Sequence, residues 1–478
     1  MGEVERYDVL VFGSGTGGKL VGWTMAKEGK RTAVVERKMI GGACPNVACL
    51  PSKNVIHSAK VASLVGRHRE FGIETGKIAI NMAEVYARKQ KMVDEIVEVH
   101  LEKYHQSGSE LILGEGRFIA PRTLQVALRD GGGRTLTADQ VFVNLGTHAT
   151  IPDIPGLRAA APMSHVELLE LQRTPEHLIV LGGGYVGLEL GQAMRRLGSR
   201  VTVVERGLQL LSREDADFAQ AVLDLFRDEG IDVLLHAEVR KVNGRSGDRV
   251  TLQLQGERGT HTIEGTDLLA AMGRTPNTQG IGLETAGIEI TDQGHIRLND
   301  RLETTAPNVW AIGECAGSPY FTHVSEDDFY IIHANLNGGS RSTRDRLVPN
   351  CIFIDPPLAR VGLSELEARE NGIPYRLATL PMDEVWRPWT LSEKRGFMKA
   401  LIDARSDRIL GFGAFGPEAG ELMGTVQTAM LGGIPYPVLR DAVYAHPTMN
   451  EGLKGLFAGV PQTVPDRVGK RATENVHA

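Results

Sequence analysis

The feature that most constrains the fold is a pattern that occurs twice in this 478-residue chain. In each copy an apolar stretch leads into a glycine motif, a helix-like stretch follows, and a second apolar stretch ends at a glutamate. The glutamate lies 23 positions after the first glycine in both copies. The motif residues are Gly13, Gly15, Gly18 and Glu36 in the first copy and Gly182, Gly184, Gly187 and Glu205 in the second. A repeat in this order predicts two βαβ units of parallel sheets.

Each part of the pattern suits a bound dinucleotide. The first glycine permits a tight turn, the second lets the backbone approach a pyrophosphate, and the third lets helix pack on strand. The helix N-terminus offers N–H groups and a positive dipole end to the phosphates. Glu36 indicates a free ribose 2'-hydroxyl, as in FAD or NAD. Glu205 favours NADH over NADPH by the same argument, although Arg206 directly after it weakens that preference.

Length and charge exclude several classes of protein. A chain of 478 residues exceeds one ordinary core and predicts two to four domains. The net charge of -6 indicates neither a nucleic-acid surface nor a polybasic membrane patch. Acidic residues precede the first apolar run, which predicts a buried strand and not a signal peptide. The apolar runs are shorter than the roughly 20 residues of a membrane span, so we expect a cytoplasmic protein that does not bind membranes.

Two of the four cysteines, Cys44 and Cys49, lie in the segment GGACPNVACLPSK at residues 41–53. They could form a structural disulfide, half of a metal site, or a redox pair. A permanent disulfide is disfavoured in the cytoplasm, and Cys315 and Cys351 do not complete a zinc-type spacing. We therefore predict no metal site.

The spacing of this pair also predicts an irregular backbone. Five residues of regular helix rise about 7.5 Å, whereas a disulfide needs Cα atoms about 4.4–6.8 Å apart. Gly41, Gly42 and Pro51 disfavour a regular helix. We expect a distorted first turn that lets the two sulfurs meet.

Taken together, these motifs resemble the flavoprotein pyridine nucleotide-disulfide oxidoreductases, the family of dihydrolipoamide dehydrogenase, glutathione reductase and mercuric reductase. The redox motif of that family is close to GGxCxNxGCxPSK, and the resemblance runs nearly end to end. Four further segments resemble family motifs: AMGRTPNT (271–278), NVWAIGEC (308–315), FIDPPLARVGLSELEA (353–368) and AHPTMNEGL (445–453).

The resemblance implies an α/β fold with two Rossmann-like dinucleotide-binding domains, for FAD and NAD(P), and a C-terminal α+β interface or dimerisation domain. The implied boundaries are 1–150 for the FAD domain, 151–275 for the NAD(P) domain, 276–345 for a central segment returning to the FAD domain, and 346–478 for the interface domain. It also implies a homodimer. Periodicity predicts an amphipathic helix over 83–104, and the polar tail from Val464 is predicted to be mobile.

Four catalytic residues follow from the resemblance. Cys49 would be the sulfur nearest the flavin, and Cys44 the interchange thiol that attacks substrate. His446 would act as acid and base at the interchange thiol of the partner subunit, with Glu451 orienting its imidazole. Thr448 and Glu451 also fit a capping box before the apolar run that follows, and we expect both roles to hold.

The cofactor contacts also follow from the resemblance. On the flavin side they are Gly13, Gly15, Gly18, Glu36, Gly42, Lys53, Gly116, Gly146, Glu314 and Thr322. On the nicotinamide side, or between nicotinamide and flavin, they are Gly182, Gly184, Gly187, Glu189, Glu205, Gly273 and Arg274. The chain departs from the family at Glu314, where aspartate is usual, at Ala48, where glycine is usual, and at Pro45.

The implied activity is an FAD-dependent oxidoreductase that passes electrons from NAD(P)H through a Cys44–Cys49 disulfide. A small disulfide such as a lipoyl group is the expected acceptor, because His446 suits it. Hg(II) or Cu(II) is the alternative, since TMNEGLK resembles mercuric reductases, although those enzymes carry tyrosine in place of His446 and a C-terminal cysteine pair. A flavoprotein redox sensor without turnover is the third possibility. Trp386 and Trp389 either line a substrate entrance or pack at a surface.

Overall fold

The computed structural model describes residues 3–257, 259–344 and 346–463. The polar tail from Val464 therefore lies outside the described residues. Two compact units divide the chain. The first unit comprises residues up to Gly182, Ala193–Val204 and Glu238–Arg346, and the second unit comprises Gly183–Gln192, Glu205–Ala237 and the residues from Leu347 onward.

The described residues form twenty strands, which are short and mostly buried on at least one face. In chain order they are β1 (Val4–Phe12), β2 (Thr32–Glu36), β3 (Glu110–Ala120), β4 (Thr123–Leu128), β5 (Gly133–Val143), β6 (Thr147–Ala149), β7 (His177–Leu181), β8 (Arg200–Val204), β9 (Asp232–Leu234), β10 (Glu238–Arg245), β11 (Arg249–Gly256), β12 (Gly259–Gly265), β13 (Asp267–Ala270), β14 (Arg274–Pro276), β15 (Val309–Ala311), β16 (Asn350–Ile352), β17 (Leu358–Gly362), β18 (Tyr375–Pro381), β19 (Phe397–Asp403) and β20 (Ile409–Phe415).

The same residues form thirteen α-helices. They are α1 (Thr16–Lys27), α2 (Ala43–Asn46), α3 (Cys49–Gly66), α4 (Met82–Ser107), α5 (His165–Leu169), α6 (Tyr185–Arg196), α7 (Ala216–Asp228), α8 (Thr322–Leu336), α9 (Glu365–Glu370), α10 (Trp386–Thr390), α11 (Ala419–Leu431), α12 (Tyr436–Asp441) and α13 (Gly452–Ala458). Both copies of the glycine pattern fold as predicted, as β1–α1–β2 and β7–α6–β8, and the two strands of each copy pair in parallel.

In the first unit, β1 lies between β2 and β5, all parallel, and β15 extends the sheet beyond β5. Strand β3 pairs in parallel with β2, and β4 pairs antiparallel with both β3 and β5. Alternate residues of β1 enter different cores, Val9 and Val11 on one side and Leu10 and Phe12 on the other. This two-sided burial explains why β1 is apolar at successive positions, as expected for a parallel strand covered on both faces.

A second parallel sheet of the first unit contains β13, β7 and β8 in that order, and β10, β11 and β12 form an antiparallel sheet. In the second unit, five antiparallel strands follow the order β16–β17–β20–β19–β18. Residues of α11, α12 and α13 share one buried core with this sheet. The α/β class, with a C-terminal sheet-and-helix domain, is therefore confirmed.

A buried lysine joins two stretches of the second unit. The Lys399 ammonium lies 2.7 Å from the carboxylate of Asp215, 2.8 Å from that of Asp217 and 3.1 Å from that of Glu365. The Lys399 side chain is only 2% exposed, so its charge depends on these partners. The residues around α7 are thereby held to strand β19.

Two local predictions are confirmed. The amphipathic stretch 83–104 lies within the single helix α4. The redox segment is irregular, because α2 ends at Asn46 and α3 begins only at Cys49. Among the described residues, no helix has the length and apolar character needed to cross a membrane. The four domain boundaries stay a prediction.

Candidate active site

The first glycine turn is too crowded for any side chain. Gly13 has a φ of +102°, and a Cβ there would lie 2.3 Å from the carbonyl oxygen of Asn144. A Cβ on Gly15 would lie 2.4 Å from Asn144 Oδ1. Gly15 is also the N-cap of α1, and no side chain caps this helix end. A bare helix N-terminus beside a glycine cradle is a fit for the pyrophosphate of FAD.

The Glu36 carboxylate, at the end of β2, is buried among hydrogen-bond donors. Oε2 accepts from Ser14 N at 3.0 Å and from the Ser14 hydroxyl at 2.7 Å, and Oε1 accepts from the amides of Lys38 and Met39 at 2.7 and 2.9 Å. The Ser14 hydroxyl also lies 3.2 Å from the Met39 carbonyl oxygen. It can therefore turn to Met39 and leave one Glu36 lone pair to a ribose hydroxyl, as an adenosine site requires.

The loop that carries the thiols is pinned by one asparagine. Asn46 Nδ2 donates to the carbonyl oxygens of Ile40 and Gly42 at 2.9 and 2.8 Å. Gly41 and Gly42 have φ values of +86° and +81°, which favour glycine. The break between α2 and α3 brings the two sulfurs within hydrogen-bonding distance of each other as free thiols.

The two thiols are electrostatically unequal. A hydrogen bond from Cys44, another from the hydroxyl of Thr322 at 3.2 Å, and the positive charge of Lys53 lower the pKa of Cys49 to about 6 against the opposing effect of burial. The pKa of Cys44 is raised, because its proton is shared with Cys49 and because it is buried. At neutral pH the pair therefore holds one thiolate, at Cys49, and one thiol, at Cys44.

A Thr322→Val variant should raise the pKa of Cys49. A hydrogen bond to a charged group contributes about 1.5–3 kcal/mol, which corresponds to about 1–2 pKa units. The absorbance of the thiolate, followed against pH in the reduced enzyme, should therefore appear at higher pH. Thr322→Ser, which keeps the hydroxyl, is the matched control and should titrate like the wild type. An unchanged midpoint in the valine variant would show that the contact does not stabilise the thiolate.

Thr322 was predicted as a flavin contact, and the structure places its hydroxyl on a thiol. Glu314, predicted to hold the ribityl chain, accepts a hydrogen bond from the Thr147 hydroxyl and lies 3.1 Å from Arg274 Nε. Arg274 also donates to the Thr147 carbonyl oxygen at 3.1 Å. The structure thus brings together Arg274 and Glu314, one from each cofactor group of the sequence analysis.

Four predicted glycine contacts occupy turns or close packing. A Cβ on Gly42 would lie 2.5 Å from Gly15 Cα, so the redox loop rests on the start of α1. A Cβ on Gly116, within β3, would lie 3.0 Å from the Phe12 ring. Gly146 and Gly273 both have positive φ values.

The second glycine motif has its own close packing. Gly182 has a φ of +105°, and a Cβ there would lie 2.4 Å from the Ala271 carbonyl oxygen. By contrast, a Cβ on Gly184 would meet no atom within 4 Å. Only the first of these two positions is therefore closed to a side chain.

Glu205 resembles Glu36 in its hydrogen bonds. Its carboxylate accepts from the amides of Gly183 and Gly207, both at 2.7 Å. Glu189, predicted to approach the flavin ring, is buried and accepts from the Phe353 amide at 2.8 Å.

His446 and Glu451 form a hydrogen-bonded pair in the second unit. His446 Nδ1 lies 2.8 Å from Glu451 Oε2, the histidine side chain is 67% exposed, and that of the glutamate is 16% exposed. This arrangement leaves Nε2 as the outward nitrogen, as an acid/base role requires. The capping-box prediction is wrong: α13 begins at Gly452 with Glu451 as its N-cap, without a side-chain cap, and the Thr448 hydroxyl donates to the Ala445 carbonyl oxygen. The helix begins after Glu451 and not after Thr448, so Glu451 is not in the third helical position that a capping box requires. Its Oε2 contacts the imidazole, and its Oε1 has no hydrogen-bond partner among the described residues.

The two tryptophans lie on the surface of the second unit. Trp386 is 62% exposed and Trp389 is 51% exposed. Trp389 Nε1 donates to the Asp383 carbonyl oxygen at 2.8 Å, and the Lys394 ammonium lies 4.0 Å from its ring centroid. These contacts describe surface packing and assign no substrate role.

Two glycine-turn units and a thiol pair with divided charge define an oxidoreductase that uses dinucleotides and a dithiol. The sequence model of the pyridine nucleotide-disulphide oxidoreductases matches residues 7–328, and that of their dimerisation domain matches 348–456. The chain therefore belongs to the pyridine nucleotide-disulfide oxidoreductase family, whose members use FAD and NAD(P)H.

Similar proteins include two kinds of oxidoreductase from this family. RclA of Escherichia coli, named a probable pyridine nucleotide-disulfide oxidoreductase, is 33% identical over 95% of this chain and 99% of its own. The mercuric reductase of Acidithiobacillus ferrooxidans is 35% identical over 94% of this chain and 82% of its own. A solved structure described as the Cu(II) complex of the HOCl-induced flavoprotein disulfide reductase RclA covers 95% of this chain and 99% of its own with a TM-score of 0.86 at 32% identity. These relatives support the oxidoreductase class and do not support a dihydrolipoamide dehydrogenase-like substrate.

Proposed function

We propose that this protein is an FAD-dependent NAD(P)H oxidoreductase that passes electrons through Cys44 and Cys49 to a thiophilic metal ion, Cu(II) or Hg(II). The observation that carries the proposal is the pair of adjacent free thiols, Cys44 and Cys49, with Cys49 Sγ 3.2 Å from the Thr322 hydroxyl. The lowered pKa of Cys49 and the raised pKa of Cys44 agree with this arrangement. Mercuric reductases and a Cu(II) complex among the similar proteins support the choice of acceptor.

We assign the residues as follows. Residues 1–150 and 276–345 would hold FAD, 151–275 the nicotinamide nucleotide, and 346–478 the dimer contact. FAD, when bound, would supply the ability to accept a hydride from the nicotinamide and to pass its two electrons on to the disulfide. Cys49 keeps the negative charge left when the disulfide opens, and Cys44 presents its sulfur to the acceptor. One NADH would reduce one Hg(II) to Hg(0), or two Cu(II) to Cu(I), and release NAD⁺ and a proton.

A disulfide acceptor is the second candidate, because of the His446–Glu451 pair. Cleavage of a disulfide produces a thiolate leaving group, which an imidazolium can protonate, whereas reduction of a metal ion releases no such group. The pair is 2.8 Å apart, with the imidazole exposed. In a homodimer, His446 would serve the thiols of the partner subunit.

We further propose NADH as the preferred donor. The Glu205 carboxylate, fixed by the amides of Gly183 and Gly207, would repel a ribose 2'-phosphate. Working thiols also suit the reducing cytoplasm.

Steady-state oxidation of NADH and of NADPH tests the proposal with Cu(II), Hg(II), oxidised lipoamide, glutathione disulfide and quinones as acceptors. We expect turnover with Cu(II) or Hg(II), faster with NADH, and a loss of at least about a hundredfold in Cys44→Ser. Cys351→Ser is the matched control for non-specific binding of metal to thiols and should keep wild-type rates. Turnover with a disulfide and not with either metal would establish the second candidate, and loss in both serine variants would contradict a role specific to Cys44.

A further inference from the structure

A buried polar cluster lies between helices α1 and α4. Its central contact joins Lys19 Nζ to His100 Nε2 at 3.0 Å. The indole of Trp23 packs on both neighbouring rings, with its centroid 5.6 Å from that of His100 and 5.4 Å from that of Tyr104. His100, Trp23 and Tyr104 are all more than nine-tenths buried. None of the residues in this cluster was singled out by the sequence motifs.

The cluster is in contact with the loop that carries the thiols. A Cβ on Gly41 would lie 2.4 Å from His100 Nδ1, and one on Gly42 would lie 2.5 Å from Gly15 Cα. The loop is therefore packed between His100 and the start of α1. Lys19 is one helical turn beyond Gly15, since its amide donates to the Gly15 carbonyl oxygen at 2.9 Å. Its ammonium group contacts Nε2 of the His100 imidazole, whose Nδ1 faces Gly41 of the loop.

In the Lys19–His100 pair, the lysine is charged and the histidine is neutral. Burial and the neighbouring cations Lys19 and Lys103 lower the pKa of His100 to about 4, so its imidazole is neutral at pH 7. Nε2 can then accept a hydrogen from the ammonium, and Nδ1 carries the ring proton. Within the described residues, three buried polar atoms of this cluster have no hydrogen-bond partner: His100 Nδ1, Trp23 Nε1 and Tyr104 Oη.

Negative charge nearby stabilises a half-buried ammonium such as that of Lys19. Burial lowers the pKa of Lys19, while the charges of Cys44 and Glu326 raise it. The effect is mutual, because Lys19 opposes the rise in the pKa of Cys44. A cation that gains stability when a sulfur becomes anionic stabilises that anion by the same amount.

We propose that Lys19, held by His100, is a positioning residue of the redox centre that stabilises negative charge on the Cys44 sulfur. This inference deepens the proposed function and rests on it for the attacking role of Cys44. Two electrons break the sulfur–sulfur bond and leave two sulfur anions, one of which takes up a proton. Cys49 keeps its charge in that state, and Lys19 acts when Cys44 loses its proton and attacks the acceptor.

Other charged and polar groups act on the thiol pair and on Lys19 from the neighbouring helices. Helix α3 contributes Cys49 and Lys53, and α8 contributes the Thr322 hydroxyl. Helix α4 contributes Lys103, whose ammonium lies 5.1 Å from the Trp23 ring centroid, compared with 5.8 Å for that of Lys19. Lys103 is therefore the matched control, because it contacts the same ring and is not among the main causes of the pKa shift of Cys44.

The test is the rate of alkylation of Cys44 by iodoacetamide in the reduced holoenzyme, measured against pH. Fragment ions of the tryptic peptide 39–53 separate Cys44 from Cys49. Because one opposite charge shifts a pKa by about 1–3 units, Lys19→Gln should raise the midpoint by about one unit and slow alkylation about tenfold near neutral pH. Lys19→Arg should restore the wild-type profile, and Lys103→Gln should keep it.

An unchanged profile in Lys19→Gln, or an equal shift in Lys103→Gln, would overturn the proposal. If Lys19→Gln does not retain FAD, the same alkylation experiment is done on His100→Gln. An upward shift in the pH midpoint of Cys44 alkylation then supports the proposal, and a wild-type midpoint overturns it. Alkylation requires neither an acceptor nor a nicotinamide. A shifted midpoint in an enzyme that reduces no metal would therefore contradict the proposed function and leave the role of Lys19 standing.

Discussion

A Cys49→Ser enzyme is expected to lose turnover with every acceptor by about a thousandfold or more, because no second thiolate remains to close the disulfide. Anaerobic titration with NADH should still reduce the flavin but should show no long-wavelength thiolate–flavin band. In the wild type the same band should fade as the pH falls through about 6, since the lowered pKa of Cys49 keeps its thiolate present above that value.

Cys44→Ser is the comparison that gives this result its meaning. It should lose turnover as well, but it should keep the band, because the Cys49 thiolate is still there. The pH at which the band appears should rise, since Cys44 no longer donates its hydrogen bond in the same way. A band that persists in Cys49→Ser, or that vanishes only in Cys44→Ser, would reverse the roles of the two sulfurs.

His446→Ala is expected to slow the reaction of the reduced enzyme with a disulfide acceptor by about 10²–10⁴-fold, the usual contribution of a general acid or base. Reduction of the flavin by NADH should be unaffected. Rapid-mixing measurement of each half-reaction separates the two steps.

Glu451→Gln tests the orienting contact of 2.8 Å and should cause a smaller loss in the same half-reaction. A metal-ion acceptor separates the two kinds of chemistry, because its reduction releases no thiolate for His446 to protonate. An equal loss of both half-reactions in His446→Ala would exclude an acid/base role. A loss with disulfides alone would confine the histidine to that chemistry.

The sequence predicts those parts of the site that are built from neighbouring residues. The glycine turns and the carboxylates Glu36 and Glu205 follow from local spacing, since the hydrogen bonds of each carboxylate come from its own βαβ unit and the few residues after it. The irregular turn between Cys44 and Cys49 follows from their five-residue spacing and from the glycines and proline beside them.

Contacts between distant residues were not predictable in the same way. The Thr322 hydroxyl reaches Cys49 across 273 residues, and Lys19 reaches His100 across 81. The sequence does show that Lys19 is a cation directly after the third glycine, at the start of a helix. Only the packing of α4 against that helix shows that its partner is His100. The capping box is absent although its local pattern is complete, because α13 begins at Gly452, three residues later than the pattern predicts.

The buried Lys399 limits how far this protein can be treated as a set of interchangeable modules. The predicted interface domain from residue 346 supplies the ammonium, whereas Asp215 and Asp217 belong to the segment that follows Glu205. An exchanged interface domain with a neutral residue in place of Lys399 would leave Asp215, only 7% exposed, as a buried charge without its counter-ion. Breaking such a pair costs about 3–5 kcal/mol, a large share of the stability of an ordinary domain. Chimeras that exchange the interface domain between relatives should therefore carry a lysine at position 399, or replace both carboxylates along with it.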